Sequence, residues 1–348
     1  PLAGFFGLEP RAAALAATFL RTLAPFNVAF AAGFVVATAL RAAGDTRTPL
    51  WLGLFTNVVN VALLYVLVLG HLGVRPLGVA GAALANGLAF TAGAAVTLGL
   101  WWRGRLRVGI GPPGGVSVRR VRRLLRIGAP AALEQVVWQG GFVAFLRLVA
   151  LYGTAAFAAY GIGVNILAFS FVVGFGFQVA ASTLVGQHLG AGDPQEATRS
   201  GWRATGLAVA VMLAFGTAIV VAAEPIARFL IDDPEVVRLT VIFIRILGSV
   251  QALMAMEFTL GGALRGAGDT RFPLYVVMAG LLGARVLLAA LFAWQEKDVV
   301  WIYGALIADY VVKASLMAWR FHGGRWRTIL RDDEPEGGPP SDPTARGR

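Results

Sequence analysis

The chain of 348 residues is 57% hydrophobic and 14% charged, with a net charge of +11 and a mean hydropathy of +0.70. Soluble domains average about 25% charged residues, so most of this surface cannot face water. The lack of cysteine excludes disulfides, iron–sulfur clusters and cysteine-ligated zinc. Three scattered histidines (71, 188 and 322) offer no metal-ligand spacing, and neither a metal nor a cofactor is expected. Of the 30 basic residues 28 are arginines punctuating apolar runs, the pattern of a membrane protein rather than of a nucleic-acid binder.

Crossing the bilayer as helix takes roughly 20 apolar residues. Nine such runs are predicted, over about 12–40, 50–70, 79–102, 127–151, 155–185, 203–223, 239–264, 273–294 and 300–319. None alternates with a two-residue period, so the class is an all-α polytopic membrane protein. Loops at 41–49, 103–126, 186–203 and 265–272, with the segment 320–331, hold 18 basic residues against 4 in the alternate loops. That skew places the first set in the cytoplasm. The wealth of Gly, Ala and Arg points to a GC-rich, bacterial genome, and a multi-pass inner-membrane location is expected.

The first of these loops carries Leu40-Arg-Ala-Ala-Gly-Asp-Thr-Arg-Thr-Pro-Leu50, and the fourth Leu264-Arg-Gly-Ala-Gly-Asp-Thr-Arg-Phe-Pro-Leu274. Nine of the 11 positions are identical. Gly44 and Gly268 permit the backbone angles that end a helix. Asp45 and Asp269 can accept hydrogen bonds from the amides opening the next helix, and Pro49 and Pro273 suit its first turn. Arg41, Arg47, Arg265 and Arg271 are expected at the headgroup level. These residues are read as structural elbows rather than as a site.

The elbow repeat orders the whole chain. Its second copy follows four helices after the Arg-rich stretch 103–126, but its first follows only one. The expected architecture is two six-helix lobes in a parallel pseudo-twofold repeat, the first truncated to three helices, about 100 residues short at this helix spacing. The domains are then a partial amino-terminal lobe 1–102, a basic cytoplasmic linker 103–126, a carboxy-terminal lobe 127–322 and a disordered cytoplasmic tail 323–348.

Ionisable groups inside apolar runs are candidates for function by default. Glu257 lies about two turns inside the helix ending at Leu264, and it either carries a coupling proton or pairs with Arg245 or Arg285 for assembly. Glu134 either faces the cytoplasmic entrance or pairs near Arg126. Asp309 and Lys313, four residues apart, can neutralise each other, with Asp309 a secondary proton candidate. Phe169, Phe171, Phe175 and Phe177, with Gln178 beside them, form either packing or a surface for flat cations.

In its elbows, in Ile127-Gly-Ala-Pro-Ala-Ala-Leu-Glu-Gln135 and in Gly186-Gln-His-Leu-Gly-Ala-Gly-Asp193, the sequence resembles the multidrug and toxic compound extrusion (MATE) family, in its DinF-like bacterial branch. The resemblance covers about 1–325 and matches that family's helices 4 to 12. It implies export of cationic or amphiphilic small molecules by a monomer in exchange for protons or sodium ions. It also sets Asn57, Asn60 and Asn86 on polar positions lining the amino-terminal cavity. Leu64 stands where many proton-coupled relatives carry an aspartate. Trp138 and Met254 replace the acids of the sodium-coupled branch, which favours protons. Expected partners are the substrate and membrane lipid, with no nucleic acid. A lipid or lipid-linked precursor flippase of the same superfamily, and a passive channel or scaffold subunit, are the alternatives; no residue pattern indicates an enzyme.

Overall fold

The computed structural model describes residues 10–71, 73, 75–106 and 117–329, all helix, turn or irregular backbone without a strand among them. The chain divides into two compact units, 1–115 and 116–348, within the Arg-rich stretch.

The first unit contains α1 (Pro10–Leu23), a 3-10 turn (Ala24–Phe26), α2 (Asn27–Ala42), α3 (Arg47–Leu69) and α4 (Gly78–Trp102). Small residues let these helices meet closely. A side chain at Gly81 would overlap the Leu67 backbone, and one at Gly87 or Gly93 would overlap Phe26 or Thr56. Leu40, Ala83, Ala85 and Ala89 are fully buried.

The second unit contains α5 (Val118–Ala150), α6 (Thr154–Gly190), α7 (Pro194–Val221), α8 (Ala223–Leu230), α9 (Pro234–Ser249) and α10 (Gln251–Gly266). After the second elbow come α11 (Arg271–Val277), a π-helical stretch (Met278–Val286), α12 (Leu287–Trp294), α13 (Val299–His322) and a 3-10 turn (Arg325–Arg327). The core of this unit is α10 laid along α6. A Cβ on Gly262 would overlap the Gln178 carbonyl, and one on Gly266 the Ser182 carbonyl. Two glycines one turn apart therefore bring the helix backbones into direct contact, the small-residue packing available where lipid supplies no hydrophobic drive.

Seven described helices are long and apolar enough to cross a membrane, eight if the bent pair α9–α10 is one span. The predicted run 127–151 forms part of α5 but falls short on hydropathy, because Glu134, Gln135, Gln139 and Arg147 interrupt it. Other expectations change as well. The second half of the 103–126 linker is helical from Val118, residues 107–116 lying outside the described set. In the expected loop 186–203 only Ala191–Asp193 leaves the helices. The tail expected to be disordered from 323 begins instead with an anchored turn. Trp326 is fully buried, stacks on Phe321 at 4.6 Å and donates its indole N–H to the Phe321 carbonyl at 2.7 Å; 330–348 lie outside the described residues.

Both elbows share one backbone turn. Asp45 N–H donates to the Leu40 carbonyl and Asp269 N–H to that of Leu264, each at 2.9 Å. Gly44 and Gly268 take φ of 82° and 83°, the left-handed cap that only glycine adopts without strain. Asp193 after α6 repeats the pattern, its N–H donating to the His188 carbonyl at 2.9 Å. Its carboxylate then accepts from the amides of Gln195 and Glu196 at 3.1 and 2.8 Å.

Candidate functional site

Four charged side chains from three elements of the second unit converge inside its spans. Lys313 Nζ on α13 lies 2.8 Å from Glu257 Oε1 on α10 and 3.3 Å from Asp309 Oδ2, one turn back on its own helix. Arg285, in the π-helical stretch, pairs with the same Asp309 oxygen. Asp309 and Lys313 are 0% and 2% exposed and Arg285 7%. Two carboxylates face two cations, so the cluster is neutral as a whole, the condition under which charges persist in a bilayer.

Aromatic rings close around it. Lys313 Nζ sits 4.6 Å from the Tyr310 ring centre. Arg285 lies 5.4 Å from the same ring and 5.7 Å from that of Phe145, distances at which the ring quadrupole attracts a cation. The π-helical winding contributes Gly280 as well as Arg285. A Cβ on Gly280 would overlap the Lys313 side chain and lie 2.5 Å from Asp309 Oδ1. The contacts on Asp309 are charge against charge; neither of its oxygens accepts a hydrogen bond among the described residues, and Arg285 Nε donates none. The cluster is thus balanced in charge but not saturated in hydrogen bonds.

Glu257 and Asp309, both singled out in the sequence, therefore share one site. Asp309 meets Lys313 as expected, but the partner of Glu257 differs. Glu257 pairs with Lys313 rather than Arg245 or Arg285, and Arg285 pairs with Asp309. The i, i+4 rule found one leg of Lys313 but not its reach to α10. Its one visible signal was a lysine in a chain whose basic residues are nearly all arginine.

Glu134 is elsewhere. Buried on α5, it pairs with Arg265 Nη2, and Arg265 Nε reaches it at 3.4 Å. Arg265 thus binds the elbow to α5. The opposite side of that elbow is held by Arg320, whose Nε and Nη2 both lie 2.8 Å from Asp269 Oδ2.

Gln178 contributes its carbonyl to the α6–α10 seam. The phenylalanines beside it divide. Phe171 and Phe175 meet Phe258 edge-on at 6.2 and 5.1 Å, Phe177 packs on the core, and Phe169 lines a 600 Å³ groove with Asn165, Phe215 and Ile226. In the first unit Asn57 lines a 320 Å³ cavity with Thr56, Thr97, Phe30, Phe90 and Arg41. Asn60 donates to Asn86 Oδ1 at 2.9 Å, and Asn86 donates to the Ala82 carbonyl at 3.1 Å; neither residue lines that cavity.

Apolar helices joined by duplicated glycine–aspartate elbows, with a charge-balanced cluster held inside one unit, define an all-α polytopic membrane protein of the transporter type. The MatE family model matches residues 1–66 and 130–291, and the chain belongs to that family. It is 30% identical over 335 residues to a probable multidrug resistance protein NorM of Thermotoga maritima, covering 94% of this chain and 71% of the relative. A NorM of the same description from Bradyrhizobium diazoefficiens is 30% identical over 294 residues, 79% of this chain and 60% of that one. The chain thus spans from three-fifths to seven-tenths of these relatives' length. Among solved structures, the Vibrio cholerae MATE transporter VcmN in its bent form superposes with a TM-score of 0.78 at 20% identity, covering 96% of this chain and 74% of that one. A MOP superfamily transporter from Pyrococcus furiosus gives 0.80 at 18% identity, covering 93% and 73%.

Proposed function

We propose that the protein is a secondary active exporter that moves cationic or amphiphilic small molecules out of the cell in exchange for protons, by alternating access, with the Glu257–Lys313–Asp309–Arg285 cluster as its coupling site. The observation that carries the reading is the neutrality of that buried cluster. Adding one proton to either carboxylate leaves a net positive charge in a low-dielectric interior, where it repels a cationic substrate strongly. Removing the proton restores neutrality and lets the cation approach. Proton and substrate then exclude each other, which is what antiport requires. The family membership and the multidrug resistance names of the NorM relatives support the same class of cargo.

Trp138 and Met254, standing where the sodium-coupled branch has acids, favour protons over sodium ions. The elbows and the Arg-rich stretch would face the cytoplasm of an inner membrane. A lipid flippase reading draws no support from the 600 Å³ groove, whose lining of Ile162, Asn165, Ile166, Phe169, Phe215, Ile219, Ile226 and Leu230 carries no cation. The test is efflux of tetraphenylphosphonium from proteoliposomes under an imposed pH gradient. Wild type should drive it and Glu257→Gln should not, at equal reconstitution. Undiminished efflux by Glu257→Gln would remove Glu257 from the coupling site.

A further inference from the structure

The helix before each elbow is interrupted at the same place in the repeat. Gly44 and Gly268 lie 224 residues apart, and so do Asn27 and Gln251, the first residues of α2 and α10. Each of these helices is 16 residues long and runs directly into its elbow. In front of α2 stands the 3-10 turn Ala24–Phe26, and in front of α10 the single non-helical residue Val250. The two interruptions differ in shape. Residues 10–42 run through theirs as one span, whereas α9 and α10 meet at 51°. One repeated element thus occurs in two geometries within one chain, and interrupted spans at matching positions of two repeats mark the moving, substrate-handling parts of transporters.

Two glycines let the bent joint sit close against α7. Gly248 and Gly216 surround it; a Cβ on the first would overlap Val220, and one on the second the Gln251 side chain. Gln251, fully buried, donates one hydrogen bond, to Ser170 Oγ on α6 at 3.2 Å. Among the described residues its Oε1 has no partner. Unused hydrogen-bonding capacity at a joint allows its polar groups to exchange partners without leaving a strong bond unmade. Glu257 is six residues past Gln251, about 9 Å along the helix at 1.5 Å per residue. Straightening a 51° bend would carry a point at that radius by about 8 Å, far more than its 2.8 Å contact with Lys313 tolerates.

We infer that α9–α10 is a hinged helix, bending at Val250, whose angle makes or breaks the Glu257–Lys313 pair, and that α1–α2 carries the same joint in its extended form. This rests on the exporter reading only for its purpose; the hinge itself stands on the geometry. Because the chain has no cysteine, spin labels at Arg238→Cys on α9 and at Arg271→Cys, just past the elbow that ends α10, report on the joint alone. Arms of about 18 and 24 Å lengthen end to end by roughly 4 Å on straightening. Distances are measured by pulsed electron paramagnetic resonance in nanodiscs with and without tetraphenylphosphonium, and counterflow of that cation is measured on the same labelled protein. Two distances about 4 Å apart, exchanging population when the cation is added, are expected. One fixed distance in protein that performs counterflow would overturn the hinge and leave the exporter reading standing. Moving distances without counterflow would support the hinge and overturn that reading, and one fixed distance without counterflow would overturn both.

Discussion

Lys313 on α13 joins two carboxylates that the chain separates by 52 residues, Glu257 at 2.8 Å and Asp309 at 3.3 Å. The lysine is the centre of the cluster, so its removal should cost more than removal of either acid. Taking one partner from a buried ion pair costs about 3–5 kcal/mol, because the charge left behind is uncompensated. Lys313→Met is therefore expected to lower the thermal unfolding midpoint in detergent sharply. The double variant Glu257→Gln with Lys313→Met should lose less than the two single losses combined, by a coupling of about 0.5–3 kcal/mol. Additive losses would mean that the two side chains do not act on each other.

Gly280 tests the notch in which the cluster sits. Gly280→Ala places a methyl against Lys313 and Asp309, and overpacking of this kind costs about 1–3 kcal/mol. Gly304 on α13 has nothing within 4 Å of the place a methyl would occupy, so Gly304→Ala should be neutral or gain about 0.5–1 kcal/mol from lower backbone entropy. The comparison of unfolding midpoints separates the notch from a general effect of glycine replacement.

The two elbows differ at one informative position. In the first, Thr48 donates its amide to Asp45 Oδ1 at 3.0 Å and its hydroxyl to Oδ2 at 2.7 Å. In the second, Phe272 occupies that place and has no hydroxyl. Asp269 Oδ2 is taken by Arg320 instead, whose guanidinium lies 5.2 Å from the Phe272 ring centre. Arg320→Ala should cost about 1–3 kcal/mol by leaving a buried acceptor unsatisfied. In a Phe272→Thr background, where a hydroxyl can take over, the same change should cost clearly less. Equal costs in both backgrounds would show that Phe272 does not set the partner of Asp269.

What the sequence disclosed follows from how local each feature is. The elbows were legible because Gly44, Gly268, Asp45 and Asp269 act on backbone groups within five residues of themselves. Glu257 and Asp309 stood out because a carboxylate in an apolar run is costly wherever it points. Their partners were not legible: whether Glu257 meets Lys313, Arg245 or Arg285 depends on how α10, α13 and the π-helical stretch pack. Glu134 was drawn to nearby Arg126 by proximity in sequence, whereas the fold gives it Arg265, 131 residues away. Trp326 was lost in a segment whose overall polarity indicated disorder, although one stacked indole suffices to anchor that turn. The interruption at Val250 leaves no composition signal, since Ser249 and Gln251 are tolerated inside helices; it emerges only from the register of the repeat.

In the proposed exporter, one buried cluster keeps proton and cationic substrate from binding together. This exclusion is tested most directly by the protons released when tetraphenylphosphonium is added to purified, weakly buffered protein. Wild type should release protons in proportion to the cation bound, and Glu257→Gln should bind with release abolished or much reduced. Cation binding by wild type with no proton release would contradict the account.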